Sequence, residues 1–158
     1  MRAESRDFRC FCALARHELP GDSLIIEITE DLLLDNIDRT RDVLEALREC
    51  GIQIALDEFG SGYSALTYLR KLPMDEVKLD QDLVIHAVTD PPVEAIVRAV
   101  LELAHSLNLA TVAEGVETAA IASWLRDCGC EVVQGIYYSP PITAAAMMDL
   151  IISPAAHG

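Results

Sequence analysis

The sequence predicts an α/β fold built from parallel strand–helix units, and three observations carry that reading. Short apolar, β-rich runs start at Leu24, Ile52, Glu76, Leu109 and Val132. Between successive runs lie longer stretches with apolar residues at helical spacing. Turn and breaker residues punctuate the boundaries, among them Pro20-Gly21, Gly51, Pro73, Pro91-Pro92 and Gly129. Parallel strands need a crossover of a dozen or more residues, and these intervals supply it. Two architectures fit: a doubly wound open sheet, or part of a (β/α) barrel. A complete barrel takes about 250 residues and eight strands, so five units are too few to close one.

The first strand, Leu24 to Ile28, follows the turn Pro20-Gly21-Asp22. A helix from Asn36 to Cys50 sets Ile37, Val43, Leu44 and Leu47 at helical spacing, and Gly51 ends it. Ile52 to Leu56 forms the second strand, which ends at Asp57. The loop Phe59-Gly60-Ser61-Gly62 leads into a helix around Ser64 to Arg70, broken before Pro73. Glu76 to Leu79 is the third strand. Pro91-Pro92 then opens a long helix through about Leu107, with Val93, Ile96, Val97, Val100, Leu101 and Ala104 on one face. Leu109 to Ala113 is the fourth strand, and Thr118 caps a helix that runs to Cys128 and stops at Gly129. Val132-Val133 begins the fifth strand, and Thr143 to Ile152 forms a closing helix.

Of 158 residues, 51% are hydrophobic and 24% charged, which reads as a globular domain with enough apolar surface for a core. No apolar stretch approaches a membrane span, and Met1 to Cys10 lacks the apolar centre of a signal peptide, so the cytoplasm is the expected location. The net charge of -14 argues against DNA as a partner, because backbone binding needs a basic face. It also requires bound cations or well-placed basic groups before any anionic ligand can approach. Cys10, Cys12, Cys50, Cys128 and Cys130 match no zinc spacing and read as reduced, mostly buried thiols.

Polar residues gather at strand ends. Glu27 and Glu30 lie at or after the end of strand one, Asp57 and Glu58 end strand two, and Lys78 and Asp80 end strand three. Glu114 and Glu117 follow strand four, and Gln134 follows strand five. In parallel α/β folds the C-terminal strand edge is where ligands bind. Any one of these carboxylates is explained by capping a helix, and a lone lysine by snorkelling at the surface. The whole set converging on one edge is different, since its charges repel unless cations lie between them. Oxygen ligands of this kind suit Mg²⁺ or Mn²⁺. Two such ions about 3.5–4 Å apart clamp a phosphodiester, with Lys78 neutralising developing charge and Gln134 orienting a ligand.

Five segments resemble those of EAL domains. Glu27-Ile28-Thr29-Glu30 is similar to E-(L/I)-T-E, and Ala55 to Ser64 to A-L-D-D-F-G-(T/A)-G-Y-S. Lys78-Leu79-Asp80 resembles K-I-D, Val112 to Thr118 matches V-A-E-G-V-E-T, and Gly129-Cys130 with Gln134-Gly135 resembles G-C-x-x-x-Q-G. The resemblance runs from about Phe8 to Ile152. It implies a TIM-type barrel that hydrolyses cyclic di-GMP to pGpG with Mg²⁺ or Mn²⁺. It further implies Glu27 and Asp57 as metal ligands, with Glu58 in place of an aspartate at the second metal. Lys78 would lie near the attacking water, and Glu114 would be a ligand or general base. Glu30 would anchor the loop Phe59 to Ser64, and Gln134 and Glu117 would support the site.

The family's E-A-L tripeptide, whose glutamate binds metal in the first third of the domain, reads as missing, as does an asparagine ligand of an N-(L/V)-S segment. Residues 1–158 are therefore expected to be an N-terminally truncated EAL domain. Glu58 adds a methylene, and misplacement by about 1 Å can cost about 10²-fold. Slow or absent hydrolysis by this chain alone is the expectation, with a non-hydrolysing module that binds cyclic di-GMP or a protein as the alternative. Terminal strands of an unclosed barrel expose apolar sides, so a homodimer is expected to cover them.

Overall fold

The structure, a computed structural model, describes residues 14–29, 37–60 and 69–152. Its strands are β1 (Ile25–Thr29), β2 (Gln53–Phe59), β3 (Glu76–Leu79), β4 (Ala110–Ala113) and β5 (Val132–Val133). Its helices are α1 (Ile37–Glu49), α2 (Gln81–Ala87), α3 (Pro91–Ser106), α4 (Ala119–Asp127) and α5 (Ala144–Ile152). The strands form one parallel sheet in the order β1-β2-β3-β4-β5. That order decides between the two architectures. A doubly wound sheet reverses its strand order at a switch point, whereas here each strand lies beside its successor, as in the wall of a (β/α) barrel.

The register sorts side chains onto two faces. Ile26, Ile28, Ile54, Leu56, Val77 and Leu79 point into the helical layer, where Leu44, Leu47, Val84, Val97, Leu101 and Leu125 cover them. Burying side chains of this size stabilises by about 1.5–3 kcal/mol each. The opposite face carries Ile25, Glu27, Asp57, Glu76 and Lys78, which in a barrel would line the interior. Ile25 and Val132, on the two outermost strands, are 44% and 50% exposed, as expected of an open wall.

Several expectations need correction. The polypeptide after β3 forms a helix that the sequence reading passed over, α2. Asp80 caps it by accepting from the Asp82 amide at 2.8 Å, and Val84 and Ala87 are buried beneath it. Ile96 was assigned to the core face of α3 but is half exposed, because that face is narrowed to Val97, Val100, Leu101 and Ala104. The three thiols among the described residues are free, but Cys50 is exposed and Cys128 and Cys130 are only part-buried. Cys50 and Cys128 sit at helix ends, and Cys130 lies just before the edge strand, where its thiol donates to the Val132 carbonyl. Cys10 and Cys12 lie outside the described residues. Of the helix expected from Ser64 to Arg70, only Leu69 and Arg70 are described, and both are helical.

The N-terminal edge of the sheet is closed by satisfied polar contacts. Asp75 accepts from the Ile54 amide at 2.9 Å and from Arg48 at 2.7 Å, tying α1 to β2 and β3. Glu131 accepts from the Thr111 amide at 3.3 Å, and its own amide donates to the Thr111 hydroxyl at 3.1 Å. Both pairings give buried backbone groups a partner where strands begin.

Candidate active site

Period-two alternation places Glu76 and Lys78 on the inner face of β3, and parallel register carries Glu27 of β1 and Asp57 of β2 to the same face. Lys78 is the centre. Its ammonium lies 2.6 Å from Glu27 Oε1, 2.7 Å from Glu114 Oε1 and 3.5 Å from Asp57 Oδ1. The lysine side chain is only 7% exposed, which removes the ordinary explanation of a snorkelling surface residue. Burial by itself would lower its pKa. Hydrogen bonds to Glu114 and Glu27, together with the charges of Glu114 and Asp57, outweigh burial and push it well above the usual lysine value.

A β-bulge brings two acidic residues opposite that one lysine. Leu56 pairs with Val77 and Phe59 with Leu79, so Asp57 and Glu58 together face Lys78. Glu58 adopts a left-handed backbone, φ 56°, as the extra residue of the bulge, and its amide donates to Asp57 Oδ1 at 2.9 Å. A non-glycine residue held there costs about 1–2 kcal/mol, and such strain gathers at functional sites. The bulge also explains why β2 continues to Phe59 rather than ending at Asp57. Phe59 returns to the core, and only the two acidic residues break the alternation.

Beside Glu114 opens a cleft of about 710 Å³, lined by Gln81, Glu117, Gln134, Tyr138 and Pro141. That volume suits a small ligand. The walls are set by backbone pairing that continues past the strands. Gln134 donates to the Ala113 carbonyl at 2.9 Å, and its own carbonyl accepts from Val116 at 3.0 Å. Gly135 runs so close to the Val116 backbone that any Cβ there would collide with it.

The structure therefore brings Glu27, Asp57, Lys78 and Glu114 into one cluster, with Glu58 at its rim. Gln134 and Glu117 line the adjoining cleft rather than touching Lys78. Glu30 lies outside the described residues, as does the loop beyond Gly60. The sequence reading missed Glu76, a half-buried carboxylate on the same face as Lys78. Its pKa is raised by burial, partly opposed by Lys78 and reinforced by the charge of Glu27. The alternation of Glu76 and Lys78 was the available signal. Gln81, at the start of the unanticipated α2, was missed too.

The E-A-L tripeptide read as missing does occur, as Glu45-Ala46-Leu47. It lies inside α1, where Leu47 is buried and Glu45 faces solvent, so this copy is a feature of an amphipathic helix and not a strand-end glutamate.

Carboxylate oxygens meet around the Lys78 ammonium in this cluster, hard donors of the kind that suit Mg²⁺ or Mn²⁺. Among the described residues no three acidic, imidazole or thiol groups are gathered closely enough to enclose one ion. An ion here would take one or two carboxylates and complete its shell with water or phosphate oxygens, the usual habit of Mg²⁺.

Residues 5–141 match the family model described as EAL domain. The cyclic di-GMP phosphodiesterase NbdA of Pseudomonas aeruginosa is 41% identical over 139 residues, covering 88% of this chain and 18% of that protein. The signaling protein YkoW of Bacillus subtilis is 37% identical over 139 residues, covering 88% and 17%. Among solved structures, the EAL domain of Mycobacterium smegmatis DcpA superposes with a TM-score of 0.84 at 40% identity, covering 88% of this chain and 62% of that one. A manganese and cyclic di-GMP complex of Klebsiella pneumoniae BlrP1 gives 0.80 at 34% identity, covering 86% and 35%. The chain thus spans under a fifth of these two curated relatives and under two thirds of these solved chains. With the family model covering most of the sequence, the chain belongs to the EAL domain family.

Proposed function

We propose that this chain forms the metal- and phosphodiester-facing part of a cyclic di-GMP phosphodiesterase that yields pGpG. The observation that carries the proposal is the cluster of Glu27, Asp57 and Glu114 around one buried ammonium, at the sheet edge where (β/α) barrels do chemistry. The names of the relatives support it: NbdA is a cyclic di-GMP phosphodiesterase, and BlrP1 was solved with manganese and cyclic di-GMP.

In this reading Glu27 and Asp57 would hold one divalent cation, Mg²⁺ or Mn²⁺, and Glu58 would help to hold a second. Bound there, the ions supply Lewis acidity toward a phosphoryl oxygen and a more acidic water. Lys78 donates N–H bonds to the water or to the developing phosphoryl charge, and its raised pKa keeps it a donor throughout the neutral range. Glu114 takes the water's proton or joins the ligands. Gln134 and Glu117 orient the nucleotide from the cleft, and Glu30 steadies the loop after β2. The protein acts in the cytoplasm, as a homodimer that covers the apolar residues exposed on the outermost strands.

The test is incubation of the chain with cyclic di-GMP and Mn²⁺, followed by chromatography for pGpG and by calorimetry for binding. Slow, manganese-dependent production of pGpG that disappears in Asp57→Ala is expected. Binding with no turnover at any enzyme concentration would instead favour a receptor module, and neither binding nor turnover would remove the proposal. Light scattering checks the dimer, and a monomer at all concentrations contradicts it.

A further inference from the structure

We infer that the first turn of α2 positions the acidic site, with Gln81 and Leu83 as positioning residues that fix Gly60 at the end of β2 and Gly115 after β4 relative to Lys78. The two glycine turns that follow β2 and β4 both rest on this helix. Gly60, φ 104°, lies against the Leu83 side chain, and a Cβ there would strike Leu83 Cδ1. Gly115, φ 69°, lies against Gln81, and a Cβ there would strike Gln81 Cγ. The turns are thus seated on residues two apart in one helical turn.

The backbone couples them along the same line. Asp80 donates its amide to the Phe59 carbonyl at 3.3 Å, joining the end of β2 to the start of α2. Glu114 donates its amide to the Leu79 carbonyl at 3.3 Å, joining the end of β4 to the end of β3. Asp80 also accepts from the Asp82 amide, which fixes how α2 leaves the strand. Asp57 and Glu58 immediately precede Phe59-Gly60, and Glu114 immediately precedes Gly115. A shift of the turn seated on Leu83 or Gln81 therefore moves a carboxylate that faces Lys78. The ammonium's polar partners are Glu27, Asp57 and Glu114 and not Gln81, so Gln81 and Leu83 act through other residues.

The inference draws its functional meaning from the proposed phosphodiesterase site, but its test does not depend on turnover. A cycle of Gly115→Ala, Gln81→Ala and the double variant is examined by crystal structure and by Mn²⁺ calorimetry. In Gly115→Ala the new Cβ collides with Gln81, and the Glu114–Lys78 contact is expected to open beyond hydrogen-bond distance. Mn²⁺ affinity should fall about tenfold or more. Removing the Gln81 side chain in the double variant gives that Cβ room, so the contact should close again and affinity should recover at least about threefold relative to Gly115→Ala. Left-handed strain at position 115 is common to both variants and cancels in the comparison.

A double variant no better than Gly115→Ala, or a Gly115→Ala structure with the contact unchanged, would overturn the inference. Should Gly115→Ala fail to fold, hydrogen exchange in Gln81→Ala decides. About tenfold faster exchange of the Glu114 amide, with α3 unchanged, is expected, and native-like exchange there rejects the role. If the native chain binds no Mn²⁺ while the structural cycle behaves as described, the positioning role stands and the metal reading fails.

Discussion

At the N-terminal edge of the sheet, Asp75 meets one guanidinium and one backbone N–H, whereas at the C-terminal edge Lys78 meets three carboxylates. The first arrangement is balanced: each charge has its partner, and the result ties α1 to the start of β2 and β3. The second has more negative charge than its single cation neutralises, a bulge beside it, and a glutamate with a left-handed backbone. Stability alone would not select that, because like charges held together oppose folding. The contrast teaches where each edge's residues are directed. One edge is built to hold strands in place, and the other accepts strain and uncompensated charge, as the proposed cation and phosphodiester site would require.

The largest test of that contrast is Lys78→Met. It leaves Glu27, Asp57 and Glu114 without their counter-charge. Losing one partner of a buried pair costs about 3–5 kcal/mol, but these carboxylates are 51%, 21% and 30% exposed, so about 2–3 kcal/mol is expected here. That corresponds to a melting temperature lower by about 4–12 °C. Turnover of cyclic di-GMP should vanish in the same variant. A fully stable Lys78→Met would break the comparison.

Asp75→Ala is expected to cost about 1–3 kcal/mol in denaturant unfolding, since the Ile54 amide loses its acceptor. Its Mn²⁺ affinity should match that of the native chain. Weakened metal binding in this variant would mean that the two edges are not separate in role. Thr111→Val, which deprives the Glu131 amide of its acceptor, should cost about 1 kcal/mol, again with metal affinity unchanged.

Alkaline pH sharpens the contrast further. The Lys78 pKa is raised in the folded protein, so its contribution to stability is complete below the ordinary lysine value of 10.5 and is lost as pH rises through the higher folded value. The melting temperature of the native chain should therefore fall above about pH 10.5 more steeply than that of Lys78→Met. Parallel curves would show that Lys78 is not held by its neighbours.

The smallest effect has the opposite sign. The Glu76 pKa is also raised, so its ionised form is disfavoured in the folded protein, and stability from this group is lost as pH rises above the usual carboxylate value. Glu76→Gln should stabilise at neutral pH by about 0.5 kcal/mol or less, and the gain should disappear below pH 4.5. A destabilised Glu76→Gln would show that this carboxylate has a favourable partner after all.

Much of this was readable in the chain before folding. Strand positions, the α1 and α3 helices, the Thr118 cap and the stop at Gly129 follow from local propensity and hydrophobic period, which depend only on neighbouring residues. Strand-end placement of Glu27, Asp57, Lys78 and Glu114 follows from the same pattern, because strand ends in parallel α/β units share one edge. Motif order was enough to indicate the family. The reading failed where a short element rested on one cap, as in α2, and it passed over Glu45-Ala46-Leu47, whose letters are those of the tripeptide it took to be missing but which sits inside α1.

By itself the sequence determined which residue types reach the C-terminal edge, since alternation and turn chemistry act over a few residues. Only the tertiary structure decided that Lys78 is buried between three carboxylates, that Asp57 and Glu58 share one partner through a bulge, and that both glycine turns rest on α2. Those facts depend on register between strands distant in the chain, and register is set by packing of the whole sheet against its helices.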